Sequence, residues 1–185
     1  MKGYAAITSC VLGILSCSGL AQASSVNPAT APLLSQSLEV QPSPPLASTQ
    51  FRTYINDTYN FSVEVPQTLY SSAAPLVGKM GQRFLSSSGN VEMAVYGQSQ
   101  GNWTLEQLYE TTLFVYRQQG AEITFSELDG NQFTISAIDP EGAVLYTRKL
   151  FHEDNLLTLG LFYDVASQAA LEPVVDYIAE SFQPI

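Results

Sequence analysis

Apolar residues recur at every second position along much of the chain from residue 51 onward. In 59–65 this alternation is regular, and Pro66 follows it. A two-residue period is typical of a strand with one buried face, and proline ends such a strand. Segments of this kind, separated by turns rich in Gly, Asp, Asn and Ser, predict strands at 51–55, 59–65, 82–86, 91–97, 121–128, 131–138, 143–151 and 156–163.

Between the strands predicted at 91–97 and 121–128, the period changes to that of an amphipathic helix. Thr104 is followed three residues later by Gln107, which is the spacing of a capping box. Apolar residues then recur at steps of three and four, and Gly120 is a typical residue just beyond a helix end. We therefore predict a helix of about four turns that begins after Thr104.

A second helix is predicted at the C-terminus, where Val175, Ile178 and Phe182 form an apolar stripe. Its start is ambiguous because proline lacks the N–H that a helix interior requires. The helix either begins near Glu172, with Pro173 at its first position, or begins after Ser167 with a kink at Pro173.

The last predicted strand is apolar on both faces, so it requires cover on both sides of a sheet. The terminal helix is one candidate for that cover. We therefore predict an α+β fold, in which a mostly antiparallel sheet of about six to eight strands lies between helices. The apolar residues of the strand are Leu157, Leu159, Leu161 and Tyr163 on one face and Leu156 and Phe162 on the other.

The first 23 residues have the pattern of a secretory signal peptide. Lys2 precedes an apolar run, and Ala21-Gln22-Ala23 is the small-x-small motif that signal peptidase recognises. We expect cleavage after Ala23, which makes Ser24 the mature N-terminus. A membrane anchor is less favoured, because small and polar residues interrupt the run and no basic cluster follows it.

Both cysteines, Cys10 and Cys17, lie in this segment. Cleavage after Ala23 therefore leaves a mature chain without thiols, which excludes disulfides, a cysteine nucleophile and cysteine-bound metal. An alternative processing event remains open, since Ile14-Leu15-Ser16-Cys17 resembles a bacterial lipobox in which Cys17 receives lipid. Leu15 departs from that motif, which has a small residue at this position.

Residues 24–50 are rich in Pro, Ser and Thr and carry a single charged residue, Glu39. This composition has no periodic apolar face and is typical of a flexible linker. The predicted organisation is therefore a signal peptide at 1–23, a linker at 24–50 and a single domain at 51–185.

The charge of the chain limits its partners. Removal of the signal peptide takes away Lys2 and leaves 6 basic against 17 acidic side chains, a net charge of −11. The basic residues are scattered and form no stripe, so binding to nucleic acid is not expected. The mature chain also contains no predicted membrane span.

Candidate chemistry is sparse and lies in loops. His152 is the only histidine. A hydrolytic triad would have to use it, but the G-x-S-x-G motif is absent, so an exposed turn histidine is the favoured interpretation. Carboxylates cluster in two turns, as Asp139 with Glu141 and as Glu153 with Asp154.

Neither of these acidic turns has the spacing of a calcium loop, and acidic residues are common in turns for structural reasons. We therefore predict no catalytic residue, no metal ligand and no cofactor. Asp139, Glu141, His152, Glu153 and Asp154 remain weak candidates only.

The region 51–185 resembles the Mog1/PsbP-like superfamily, and in particular its exported bacterial members of unassigned function. The resemblance implies an α/β/α sandwich. Because the superfamily includes photosystem-associated lumenal proteins and a nuclear-transport accessory protein, it also implies a scaffold used for protein binding. The segments that carry it are Tyr59–Val63 with Pro66, Gly81–Phe84, Val95–Gly97, Thr104-Leu105, Pro173–Val175 and Ser181-Phe182.

The sequence thus favours an exported, non-enzymatic binding or accessory module of the periplasm or cell envelope, with protein partners. Two alternatives stay open. One is a small hydrolase that uses surface carboxylates or His152, and the other is an envelope assembly factor anchored by lipid on Cys17.

Overall fold

The structure is a computed structural model that describes residues 48–70, 74–76 and 80–185. The predicted signal peptide and residues 24–47 of the predicted linker lie outside these ranges. The residues of the processing predictions, Ala21, Ala23, Ser24 and Cys17, therefore lie outside them as well.

The described part of the chain alternates between strands and a few helices. The helices are α1 (Gln67–Tyr70), α2 (Leu105–Gln118) and α3 (Gln168–Ser181), and a short 3₁₀ turn precedes α3 at Val165–Ser167. The strands are β1 (Phe51–Asn56), β2 (Phe61–Pro66), β3 (Ala74–Pro75), β4 (Gly81–Leu85), β5 (Val91–Ser99), β6 (Glu122–Asp129), β7 (Gln132–Ile138), β8 (Ala143–His152), β9 (Asn155–Asp164) and β10 (Gln183–Pro184).

The strands form two antiparallel sheets. Seven of them make one sheet in the order β3-β4-β5-β9-β8-β7-β6, while β1, β2 and β10 make a second sheet with β2 in its centre. Strands β6 to β9 follow one another in space as in sequence and are joined by short turns. Helix α2 carries the chain from β5, inside the large sheet, to β6 at its far edge.

The larger core lies between one face of the seven-stranded sheet and a layer made of α3 and the three-stranded sheet. Leu157, Leu159 and Leu161 of β9 contribute to it, as the two-residue period predicts. From the other layer, the rings of Phe61 and Phe182 meet edge to face, with centroids 5.6 Å apart. Helix α3 contacts β9 directly, so this face of the strand is covered.

Helix α2 packs against the opposite face of the sheet, over β6 and β7. Its buried residues, Leu113 and Tyr116 among them, form a second core with Phe133 and Ile135 of β7. The capping box at Thr104 is present, because its side chain accepts from the backbone N–H of Gln107 and the Gln107 side chain accepts in return.

The α+β sandwich predicted from the sequence is confirmed, and each predicted strand is found with small shifts at its ends. The strand predicted at 59–65 begins only at Phe61. Asn60 has φ of 49°, a left-handed conformation that belongs to the turn before β2. The short elements α1, β3 and β10 were not predicted.

The start of the terminal helix is settled in favour of the longer helix. Helix α3 begins at Gln168, and Pro173 lies inside it. Because Pro173 has no N–H, the carbonyl of Ala169 lacks its usual helical donor. Ser167 precedes the helix but makes no side-chain capping bond.

Candidate interaction surface

Strand β6 lies at a free edge of the seven-stranded sheet. It pairs with β7 on one side and with no described strand on the other. From Thr124 to Asp129 every residue is exposed, including Phe125 at 48% and Leu128 at 38%. Proteins usually shorten or cover such edges, because the unpaired N–H and C=O groups can bind another strand. An exposed edge of this length is therefore a candidate interaction site.

The turn that follows β6 determines which backbone groups are unpaired. Asp129 pairs with Gln132 across the two-residue turn Gly130-Asn131. A pair that closes a two-residue turn exchanges both of its N–H···O bonds, and bonded pairs alternate along an antiparallel ladder. The N–H and C=O groups of Ser126 and Leu128 therefore point away from β7, toward the open side.

A β-bulge interrupts the first part of the edge. The register with β7 shifts between Ile123 and Phe125, which leaves Thr124 as the extra residue. Bulges twist a strand locally and protect an edge from unwanted pairing. The regular and unprotected part of the edge is therefore 125–129.

The side chains of β6 are divided between the two faces of the sheet. Phe125 lies opposite Ser136, which in turn lies opposite Tyr146, so all three are on the face that carries α3. Leu128 lies opposite Phe133, on the face that carries α2. The edge therefore exposes an apolar side chain on each face.

The edge is also acidic. Strand β6 carries Glu122, Glu127 and Asp129 and no basic residue. Glu127 and Asp129 lie on the same face as Phe125, because they occupy alternate positions after the bulge. We use the name β6 surface for the strand β6 together with these side chains. Helix α3, on the same face of the sheet, adds exposed carboxylates at Glu172, Asp176 and Glu180.

Tyr146 is a titratable side chain on the α3 face, two strands inward from Phe125. Burial is the largest cause that raises the pKa of its hydroxyl, and the Asp176 carboxylate raises it further. The charge of Arg148 and a hydrogen bond with Thr134 act in the opposite direction. The hydroxyl of Tyr146 is therefore protonated at neutral pH and can donate a hydrogen bond, but it is a poor general base.

Asp139 and Glu141, the first pair of candidate residues from the sequence, lie in the turn between β7 and β8. The Oδ1 of Asp139 accepts a hydrogen bond of 2.7 Å from the backbone N–H of Ala143. Glu141 is exposed. Asp139 thus has the turn-stabilising role that is common for this residue type.

The second group of candidates lies in the turn between β8 and β9. His152 is half-buried and lies opposite Asn155, whereas Glu153 and Asp154 are exposed. Ten residues of β8 separate this turn from that of Asp139, a distance of about 30 Å at the rise of an extended strand. The structure therefore does not bring the two acidic pairs together, and the absence of catalytic roles stays a prediction.

Neither a group of metal ligands nor a helix that could span a membrane is found among the described residues. Across 48–70, 74–76 and 80–185, no three His, Cys, Asp or Glu side chains are grouped as ligands for a metal ion. In the same ranges, no helix has both the length and the apolar character needed to cross a membrane.

The β6 surface itself was missed by the sequence analysis. The sequence of β6, EITFSELD, predicts a strand, but it does not reveal that the strand lies at an edge. One signal of an edge position was present in the sequence. Glu127 and Asp129 alternate with Leu128, whereas a central strand would be mostly apolar.

Comparison with known proteins gives a similarity of fold. No protein-family model and no curated protein matches the chain. A solved structure that does match is the solution structure of cyanobacterial PsbP (CyanoP) from Synechocystis sp. PCC 6803, with a TM-score of 0.59 and 15% sequence identity. The match covers 74% of this chain and 94% of that chain. The chain therefore has the PsbP-like fold that the sequence resemblance implies.

Proposed function

We propose that this chain is an exported, non-enzymatic accessory module that binds another protein through the β6 surface. The observation that carries the proposal is the free edge of eight residues, which exposes Phe125 on one face of the sheet and Leu128 on the other. Unpaired strand groups and exposed apolar side chains are the two features by which a sheet recruits a protein partner.

The non-enzymatic part of the proposal is supported by the arrangement of the candidate groups. Asp139 is engaged by the backbone of its own turn, and His152 lies at the opposite end of β8. A hydrolytic mechanism that pairs these groups requires both of them within reach of one substrate. Among the described residues, no observation favours the alternative of a small hydrolase.

The exported location is supported by the sequence of residues 1–23 and is tested by intact mass spectrometry of the protein from its native host. Cleavage after Ala23 gives a chain that begins at Ser24. A chain that begins at Cys17 with an added lipid would instead identify an envelope-anchored form. A chain that retains Met1 would contradict export with cleavage.

The binding function is tested by photo-crosslinking in the native host. A photoreactive phenylalanine analogue replaces Phe125 in one version of the protein and Ile55 in another. Ile55 is a matched control, because it is 53% exposed on β1, which is an edge strand of the second sheet. Unlike β6, strand β1 contains no acidic residue. We expect a discrete protein adduct from position 125 and none from position 55.

Two outcomes contradict the proposal. The absence of adducts at position 125 would mean that no partner lies on the β6 surface. Identical adducts at positions 125 and 55 would mean that both positions report nonspecific encounters.

A further inference from the structure

We propose that the partner segment is a basic, extended peptide, which binds the β6 surface by adding one strand to the seven-stranded sheet. This inference rests on the proposed function and deepens it, since it names the chemistry of the segment and its mode of binding. Two features of the edge support it, the direction of its backbone groups and its charge.

The backbone supports strand addition because Ser126 and Leu128 direct their N–H and C=O groups to the open side of β6. An added strand can pair with all four of these groups, as in other cases of β-augmentation. The bulge at Thr124 limits pairing to 125–129. The peptide strand that fits this edge is therefore short, of about five residues.

The charge of the edge selects a basic peptide. Glu127 and Asp129 are exposed on one face of the regular segment, and Glu122 is exposed at the start of the strand, before the bulge. Oppositely charged side chains that face each other across neighbouring strands stabilise a sheet, and like charges destabilise it. Lysine or arginine at alternate positions of the added strand would lie opposite these carboxylates.

The same charge argues against a second copy of this chain as the occupant. Pairing of two β6 strands would bring the carboxylates of Glu127 and Asp129 against the same groups of the other copy. The chain as a whole carries a net charge of −10 and would add long-range repulsion. The acidic edge thus disfavours self-association and favours a basic partner.

The chain's own linker is also a poor chemical match. Residues 24–50 contain no basic residue and five prolines. Each proline lacks the N–H that a strand ladder requires. A separate basic chain is therefore the better complement of the β6 surface.

The test measures the binding of a synthetic peptide to the full mature chain by fluorescence anisotropy. The probe is a labelled eight-residue repeat of Lys and Val. One control peptide replaces every Lys by Glu, which reverses the charge. A second control is the Lys-Val peptide methylated on every backbone nitrogen, which keeps the charge but removes all N–H donors. We expect binding of the probe and at least about tenfold weaker binding of both controls.

Variants of the protein separate the backbone from the charge. Ser126→Pro removes an outward N–H and leaves the bonds to β7 intact, because proline is tolerated on the open side of an edge strand. Ser126→Ala is its matched control and keeps the N–H. We expect Ser126→Pro to weaken binding of the probe about tenfold and Ser126→Ala to leave it within about twofold. Glu127→Gln combined with Asp129→Asn should weaken binding and reduce its salt dependence.

Several results would overturn the inference. Equal binding of the probe and its N-methylated form would show electrostatic attraction without strand pairing, and this measurement uses the unaltered protein, so it holds even if Ser126→Pro does not fold. Failure of the probe to bind would also overturn it. Dimerisation of the mature chain that Ser126→Pro abolishes would assign the edge to a second copy.

The proposed function has a separate outcome. A discrete adduct at position 125 in the crosslinking experiment, combined with failure of the basic peptide, would leave protein binding in place and reject only strand addition.

Discussion

Arg148 of β8 donates a hydrogen bond to the backbone carbonyl of Ala179, in the last turn of α3. Its other terminal nitrogen donates to the Oε1 of Gln132 on β7 over 2.7 Å. A cation suits this position, because the carbonyls at the C-terminal end of a helix carry partial negative charge. One side chain thus fixes the end of α3 to two strands of the large sheet.

Arg148→Met should reduce the free energy of unfolding by about 1–3 kcal/mol. Methionine keeps an unbranched apolar stem but makes neither hydrogen bond, so the Ala179 carbonyl loses its side-chain donor. Urea denaturation of the variant gives the measurement. Arg117→Met, at an exposed position in the last turn of α2, is the control and should change the value by no more than about 0.5–1 kcal/mol. Equal effects of both variants would contradict the role given to Arg148.

Phe182→Ala should cost about 3–5 kcal/mol of stability, because it removes a buried ring and leaves a cavity. Phe182 is 1% exposed and packs edge to face on Phe61. Phe114→Ala is the matched control on α2. Its ring is 61% exposed, so this variant should leave stability nearly unchanged. Deletion of 24–47 should also leave stability nearly unchanged. A neutral Phe182→Ala with a strongly destabilising deletion would show that the domain boundary is misplaced.

Gly97→Ala should destabilise the protein more than Gly160→Ala does. A Cβ at Gly97 on β5 would overlap both the Cβ and the ring of Tyr59, whereas a Cβ at Gly160 on β9 would meet only two backbone oxygens at 4.0 Å. Overpacking of this kind costs about 1–3 kcal/mol. Gly97→Ala combined with Tyr59→Gly, which removes every side-chain atom of Tyr59, should cost less than the sum of the single changes, as measured in a double-mutant cycle. Strict additivity would show that Tyr59 is not the obstacle.

Much of the fold follows from the sequence because its signals are local. The apolar alternation of β9, the capping box at Thr104 and the turn at Gly130 each depend on residues a few positions apart. These features are confirmed in the structure. They determine which segments are strands or helices, and the two apolar faces of β9 further require a sheet that is covered on both sides.

The order of the strands does not follow from such signals. Strand β6 is at an edge because α2 carries the chain across the sheet from β5, and no residue within β6 specifies that path. Strand β10 consists of two residues and exists only through its pairing with Ser62 and Phe61 of β2. In α3, packing of residues such as Ile178 in the larger core compensates for Pro173, which local propensity alone would place at a helix start.

The acidic turns should behave as structural elements. Asp139→Ala is expected to lower stability by about 0.5–1.5 kcal/mol, since its carboxylate accepts the hydrogen bond from the N–H of Ala143. Glu141→Ala and His152→Ala should have no measurable effect on stability, and none of the three should alter partner binding. Loss of biological activity in His152→Ala with unchanged folding would instead support the hydrolase alternative.

The free energy of unfolding should decrease between about pH 10 and pH 12, partly because Tyr163 loses its proton more easily in the unfolded chain than in the folded protein. Burial is the main cause that raises the pKa of Tyr163 to about 12, and the carboxylates of Glu172 and Asp176 raise it further. In the unfolded chain the pKa of tyrosine is about 10. Between these two values the folded state holds a proton that the unfolded state has lost, so the contribution is complete below pH 10 and decreases as the pH rises.

The measurement is the urea midpoint of the wild type and of Tyr163→Phe at pH 9 and at pH 11.5. Phenylalanine keeps the ring but has no ionisable group, so the midpoint of the variant should decrease less over this interval. The pKa values of Tyr116 and Tyr146 are also raised. The decrease in the wild-type midpoint therefore contains their contributions, and only the difference from the variant reports on Tyr163. A midpoint that decreases equally in both proteins would mean that Tyr163 ionises in the folded state as easily as in the unfolded chain.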